Sequence, residues 1–277
     1  MKLQYLGTAA AEGFPGISCA CEACENARKK GGKNIRTRSQ AIINDELLID
    51  FPADTYFHVL TYGLDFKKIR HCIVTHPHSD HFYPADFEMR EAAYAVVTDN
   101  IPLTIYGTET VKKETDKMIN EYNLSNEARI ESVLVKPFSE FTAGKYRITP
   151  LPANHAAELQ PVVYIISDGI STMLYAHDTG IFEDNVWSWL SESGIKFNFV
   201  SVDCTGGMLT GWRSGHLGLD TCREFRDMLE NTGTADSGTV FCLNHFSHNG
   251  LADYDEMLTE AAKYGFDVSY DGKSVHF

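Results

Sequence analysis

The 277-residue chain is 43% hydrophobic and 22% charged, with a formal net charge of −14. It is long enough to bury a substantial core and reads as an ordinary soluble globular protein. Its negative field argues against a nucleic-acid footprint, no apolar run reaches the roughly 18 residues of a membrane span, and Met1–Gly7 has no signal-peptide apolar stretch, so a cytoplasmic location is expected.

Strands are predicted over Leu3–Leu6, Ala41–Asn44, Leu47–Phe51, Arg70–Thr75, Leu103–Tyr106 and Ser132–Val135. More follow at Tyr146–Leu151, Val162–Ser167, Thr172–His177, Phe197–Val202, Thr239–Leu243 and Asp267–Phe277. Asn44-Asp45, Asp168-Gly169 and Asp271-Gly272 lie between paired runs and read as hairpin turns. Helical stripes are interleaved with the strands: Val111, Thr115, Met118, Ile119 and Tyr122; Val186, Trp187 and Leu190; Leu219, Cys222, Phe225 and Leu229; and Tyr254, Met257, Leu258 and Ala261. These stripes read as core faces, and the whole pattern as mixed α/β. No linker, repeat or low-complexity tract appears, so residues 1–277 are expected to form one domain. The segment Tyr83–Asn126, punctuated by Pro84 and Pro102, reads as the most variable stretch.

The chemistry begins at Thr75-His76-Pro77-His78-Ser79-Asp80-His81, just after an apolar strand. Alternate side chains of an extended segment share a face, so His76 and His78 can reach one metal ion while Asp80 and His81, past the turn, address a second. Imidazole and carboxylate without thiolate suit zinc, manganese or iron. Three later residues also close apolar runs: His155 after Leu151, Asp178 after Tyr175-Ala176-His177, and His245 after Phe241-Cys242-Leu243-Asn244. His177 is expected to face the opposite side of its strand, and His58, His71 and His276 follow no pattern.

Of seven cysteines, Cys72 and Cys242 lie in apolar runs and read as buried thiols, with Cys204 and Cys222 scattered elsewhere; no disulfide framework is expected. Cys19-Ala20-Cys21-Glu22-Ala23-Cys24 supplies three thiolates, one short of a tetrahedral zinc set, and His248 is the natural fourth ligand. Taken alone, Cys21-x-x-Cys24 would also read as a redox pair.

The His-x-His-x-Asp-His run after a strand resembles the metallo-β-lactamase superfamily of binuclear metallohydrolases. That resemblance implies an αββα sandwich, with a first ion on His76, His78 and His155, a second on Asp80, His81 and His245, and Asp178 bridging both. The opening Leu6-Gly7-Thr8-Ala9-Ala10-Ala11-Glu12-Gly13-Phe14-Pro15, the Cys-x-Cys-x-x-Cys and the late His245-x-x-His248 look like the PhnP group of phosphodiesterases. A pyrroloquinoline-quinone biosynthesis protein shares the cysteine pattern but typically lacks the intact histidine motif. The resemblance also marks Asp203 and His216, in Ser214-Gly215-His216-Leu217-Gly218, as catalytic beside Asp80.

It implies a small cyclic sugar or nucleotide phosphate as substrate, attack by a hydroxide held on two divalent ions (manganese or zinc) and a structural zinc on the thiolates; the charge and hydropathy add no nucleic-acid or membrane partner, and the chain is compatible with a homodimer. The competing readings are a hydrolase of a lactone, thioester or RNA 3′ end, and a non-catalytic metal-binding homologue. One departure stands out: where the superfamily commonly has a glycine after the Asp-His pair, this chain has Phe82-Tyr83-Pro84-Ala85-Asp86, which should remodel that rim of the pocket.

Overall fold

The computed structural model describes residues 1–97, 101–124 and 129–277. Parts of the expected variable segment, 98–100 and 125–126, lie outside the described residues. The strands are β1 (Lys2–Gly7), β2 (Gln40–Ile43), β3 (Leu47–Ile49), β4 (His71–Ile73), β5 (Leu103–Gly107), β6 (Ile130–Leu134), β7 (Phe141–Ala143), β8 (Tyr146–Pro152), β9 (Val162–Ser167), β10 (Thr172–Ala176), β11 (Phe199–Asp203), β12 (Val240–Asn244), β13 (Asp267–Val268) and β14 (Ser274–His276). The helices are α1 (Glu22–Lys30), α2 (Thr55–Tyr62), α3 (Glu109–Glu121), α4 (Asp184–Ser193), α5 (Leu219–Asn231) and α6 (Tyr254–Ala262).

Two seven-stranded sheets form, in the orders β14-β1-β2-β3-β4-β5-β6 and β13-β12-β11-β10-β9-β8-β7. Strand periodicity explains their stacking, because successive side chains point to opposite faces. On β2, Ala41 and Ile43 join Leu3, Tyr5, Tyr164, Tyr175 and Phe199 in the core between the sheets, while Ile42 faces outward. That outer face packs with Leu48, Cys72 and Ile105 under Val111, Met118 and Ile119 of α3. The second sheet's outer face, with Leu174, Val200 and Val202, is covered by Trp187 and Leu190 of α4, Phe225 of α5 and Met257 of α6. The layers are therefore helix, sheet, sheet, helix: the expected αββα sandwich. No helix among the described residues is long and apolar enough to cross a membrane.

One local expectation needs correction. The run Asp267–Phe277 is two strands in different sheets, so Asp271-Gly272 is a crossover and not a hairpin. It is pinned there because Asp271 accepts hydrogen bonds from Thr8 and Thr37, and Gly272 donates to Tyr5 O. The helices α1 and α2 and the short strand β7 carry no stripe in the sequence reading and emerge only in the fold. Phe82 and Phe87 bury themselves against Phe51, leaving Tyr83 41% exposed on the rim.

The ends of β3, β4, β8, β10, β11 and β12 place Asp50, His76, His155, Asp178, Asp203 and His245 together along one edge of the sandwich. Both sheets contribute.

Candidate metal centre

His76, His78 and His155 converge first. His78 Nδ1 lies 2.8 Å from His76 Nε2 and 3.2 Å from His155 Nε2. One ring nitrogen cannot serve two others as a hydrogen-bond partner. Ligands about 2.1 Å from a common ion, however, stand about 3.0–3.5 Å apart, so the spacing fits a shared cation.

The second group is Asp80, His81, Asp178 and His245, all buried. His81 Nε2 is 3.1 Å from His245 Nε2, 3.3 Å from Asp80 Oδ2, and in contact with Asp178 Oδ2. Asp178 Oδ2 is also 3.4 Å from His245 Nε2 and 3.6 Å from His76 Nε2, so this single atom sits between the two groups. It is buried and has no hydrogen-bond partner among the described residues. An ionised oxygen so placed is costly unless a cation meets it. The donor set therefore fits two ions, with Asp178 between them.

The opposite ring nitrogens are held by the protein, which aims the free ones at the centre. His81 Nδ1 donates to Asp50 Oδ2 at 2.7 Å, and His155 Nδ1 to Gly215 O at 3.1 Å. His245 Nδ1 donates to Thr205 Oγ1 at 2.8 Å, and His76 Nδ1 to Thr75 Oγ1 at 3.1 Å. Thr75 donates both its backbone N–H and its hydroxyl to Asp50 Oδ1. Asp50 and Thr205 are absent from the sequence-derived site. Asp50 shows the same signal as the ligands, a carboxylate closing the apolar run Leu47–Ile49, but its partners are distant in the chain.

The electrostatics match this design. Burial alone would raise Asp178, but His245 and His81 hold it well below the usual carboxylate range. Asp80 is likewise opposed by burial and pulled down by His81. Burial would depress His81, yet Asp178, Asp80 and Asp50 raise it well above an ordinary histidine.

His216 and Asp203 flank the pair. Asp203 accepts from the backbone N–H groups of Asp178, Thr205 and Leu217, at 2.9, 3.0 and 3.1 Å. His216 Nδ1 lies 3.1 Å from Asp203 Oδ2 and 3.3 Å from Asp178 Oδ1, and its ring stacks on His245. Burial opposes its protonation, but Asp203 and Asp178 raise its pKa to about 9. Gly180 lets the segment carrying His216 come this close: a Cβ there would stand 2.1 Å from Arg213 O.

The thiolate group also assembles. His248 Nδ1 is 3.3 Å from Cys21 Sγ and 3.6 Å from Cys19 Sγ, and the Gly16 N–H donates to Cys24 Sγ at 3.2 Å. All four candidate ligand atoms lie within 4.8 Å of one another. The Cys24 backbone N–H lowers Cys21 to about 6, while burial raises Cys24 to about 12. The set fits a tetrahedral zinc. On the far side of His248, Nε2 lies 3.6 Å from Glu12 Oε1. His177 is placed apart from both groups, between the sheets. His58 is buried on α2, and His276 is exposed.

The comparisons agree with the geometry. No curated protein sequence matches the chain. A diphosphatase from the PhnP family has a similar fold, with TM-score 0.74 and 20% identity over 100% of this chain and 97% of that one. PqqB from Methylobacterium extorquens gives TM-score 0.74 and 15% identity over the whole of both chains. Human tRNase Z, short form, gives 0.66 and 14% identity over 100% of this chain and 99% of that one. The beta-lactamase superfamily domain profile matches residues 53–245. That span runs from just after Asp50 to His245 and takes in both histidine groups, and the chain belongs to the metallo-β-lactamase superfamily.

Proposed function

We propose that the protein is a dinuclear metal-dependent phosphodiesterase of the PhnP type, acting on a small cyclic sugar or nucleotide phosphate in the cytoplasm. Residues 1–277 act as one domain, because both sheets supply candidate ligands. The observation that carries this reading is His216, a part-exposed imidazole whose Nδ1 is held by Asp203 beside Asp178 at the edge of the ligand cluster. Two similar folds are by name a diphosphatase and a tRNase, which supports phosphoryl chemistry over acyl chemistry.

Zinc or manganese held by His76, His78, His155, Asp80, His81, Asp178 and His245 would supply Lewis-acid charge and an acidic water near neutral pH. Asp80, kept ionised by His81, accepts a hydrogen bond from the attacking water and orients it. As the water oxygen bonds to phosphorus and one P–O ester bond breaks, His216 Nε2 gives its proton to the departing alkoxide. The proton shed by the water restores His216. Asp203 keeps the ring aimed through Nδ1. A zinc on Cys19, Cys21, Cys24 and His248 would be structural, tying the N-terminal loop to the segment after β12.

The test is hydrolysis of an aryl phosphodiester by protein reconstituted with manganese or zinc, with His78→Ala as the blank. Metal-dependent turnover absent from the variant is expected. No turnover despite two bound ions would end the phosphodiesterase reading in favour of an ester, thioester or lactone.

A further inference from the structure

Asp178 and His245 share a feature found at no other candidate ligand among the described residues: both adopt left-handed backbone, with φ of 49° and 65°. L-residues seldom rest there unless the surroundings enforce it. The two also end strands that are not neighbours. β11 lies between β10 and β12, so no ladder hydrogen bond joins them across a gap of roughly 9.5 Å.

The residues just before them close that gap. His177 and Asn244 are 1% and 0% exposed and lie between the sheets. Ser269 donates its hydroxyl to Asn244 Oδ1 at 2.5 Å, which leaves Asn244 Nδ2 facing His177 Nδ1 at 3.2 Å. An amide nitrogen only donates, so His177 Nδ1 accepts and the ring proton sits on Nε2. Nε2 in turn donates to Ser201 Oγ on β11 at 2.7 Å, and Ser201 Oγ meets the Tyr5 hydroxyl of the other sheet at 2.6 Å. The imidazole lies against Tyr175, with ring centroids 3.9 Å apart. Polar groups buried this deeply weaken a core unless every one is partnered, and apolar side chains would fill the same space. The polar network falls where two strained strand ends must be held in fixed relation.

We infer that His177 and Asn244 clasp the ends of β10 and β12 from beneath, and are positioning residues that hold Asp178 Oδ2 and His245 Nε2 at their 3.4 Å separation, within reach of one shared ion. The inference rests on the reading of Asp178 and His245 as ligands.

Full-length protein is titrated with cobalt(II) alone, with the two centre ions followed by chelator competition and absorption spectra, and folding by thermal melting. His177→Phe keeps a ring on Tyr175 and loses both hydrogen bonds. It is expected to weaken the second ion 10- to 100-fold, on the order found when groups that orient ligands are removed. The ions at His76, His78 and His155 and at the thiolate site should hold their affinities.

Asn244→Leu should give the same loss, and the double variant no more than either single, because both remove one clasp. His177→Gln, which can accept from Asn244 and donate to Ser201, should restore binding to within about threefold, as a substitute that keeps both hydrogen bonds. If His177→Phe does not fold, Asn244→Ser carries the same expectation. Equal weakening of both ions, no weakening of either, or additive losses would overturn the clasp. A wild-type protein that takes no ion pair would overturn the ligand reading and the clasp together. If the wild type takes two ions and the variants match it, only the clasp falls.

Discussion

At His216, two carboxylates converge on one imidazole nitrogen, while Asp203 also satisfies three backbone donors. The two residues should therefore fail differently. His216→Ala is expected to keep its ions and melting temperature and lose about 10²- to 10⁴-fold in kcat, the usual weight of a proton donor. Asp203→Asn sets an amide donor against backbone donors, so it should lose turnover and also about 1–3 kcal/mol of stability. Equal melting temperatures for the two variants would refute this division of labour. The histidines of the first motif were legible because their spacing is local. Asp50 was not: it meets Thr75 and His81 across 25 and 31 residues, a separation that no one-dimensional pattern marks. Nor does sequence announce the left-handed backbone at Asp178 and His245.

Among the elements, strands and long amphipathic helices were legible because apolar residues recur at their own periods. The helix α2 was not, because Tyr56, Phe57 and Leu60 are exposed while the polar Thr55 and His58 are buried, the reverse of an apolar stripe. His58 Nδ1 donates to Gln40 Oε1 at 2.6 Å, and Nε2 meets Thr37 Oγ1 at 2.7 Å. Burial lowers its pKa from 6.5 to about 4. The neutral ring is thus the native form, and the unfolded chain takes up the proton first. Its contribution is complete above pH 6.5, shrinks as pH falls towards 4, and in that window is worth about 3 kcal/mol. Denaturant unfolding of wild type and His58→Gln at pH 7 and pH 4.5 checks this. The stability difference between them should narrow at the lower pH, and a constant difference would refute the assignment.

Across the whole molecule, the two candidate metal sites share one short segment. His245 and His248 stand three residues apart, and between them Phe246 pairs with Ala9 and lies under the Arg36 guanidinium. Ser247 donates to Glu12, whose carboxylate also approaches His248. The sequence already paired the three cysteines with His248 and pointed to that closure tying the N-terminal loop to the loop after His245; the added links through Ala9, Arg36 and Glu12 emerge only in the fold. Cys24→Ser should release the thiolate zinc and free the N-terminal loop from this segment. The melting temperature is then expected to fall by about 5–10 °C, since each kcal/mol lost shifts a chain of this size by about 2–4 °C. The ion held by His245 should weaken, while that on His76, His78 and His155, anchored by β4 and β8, should not. Metal analysis and melting of the variant decide the matter. A protein that has lost the zinc yet keeps its melting temperature and both other ions would mean that the thiolate site stands alone, and that the order around His245 comes from Thr205 and the strand beneath it.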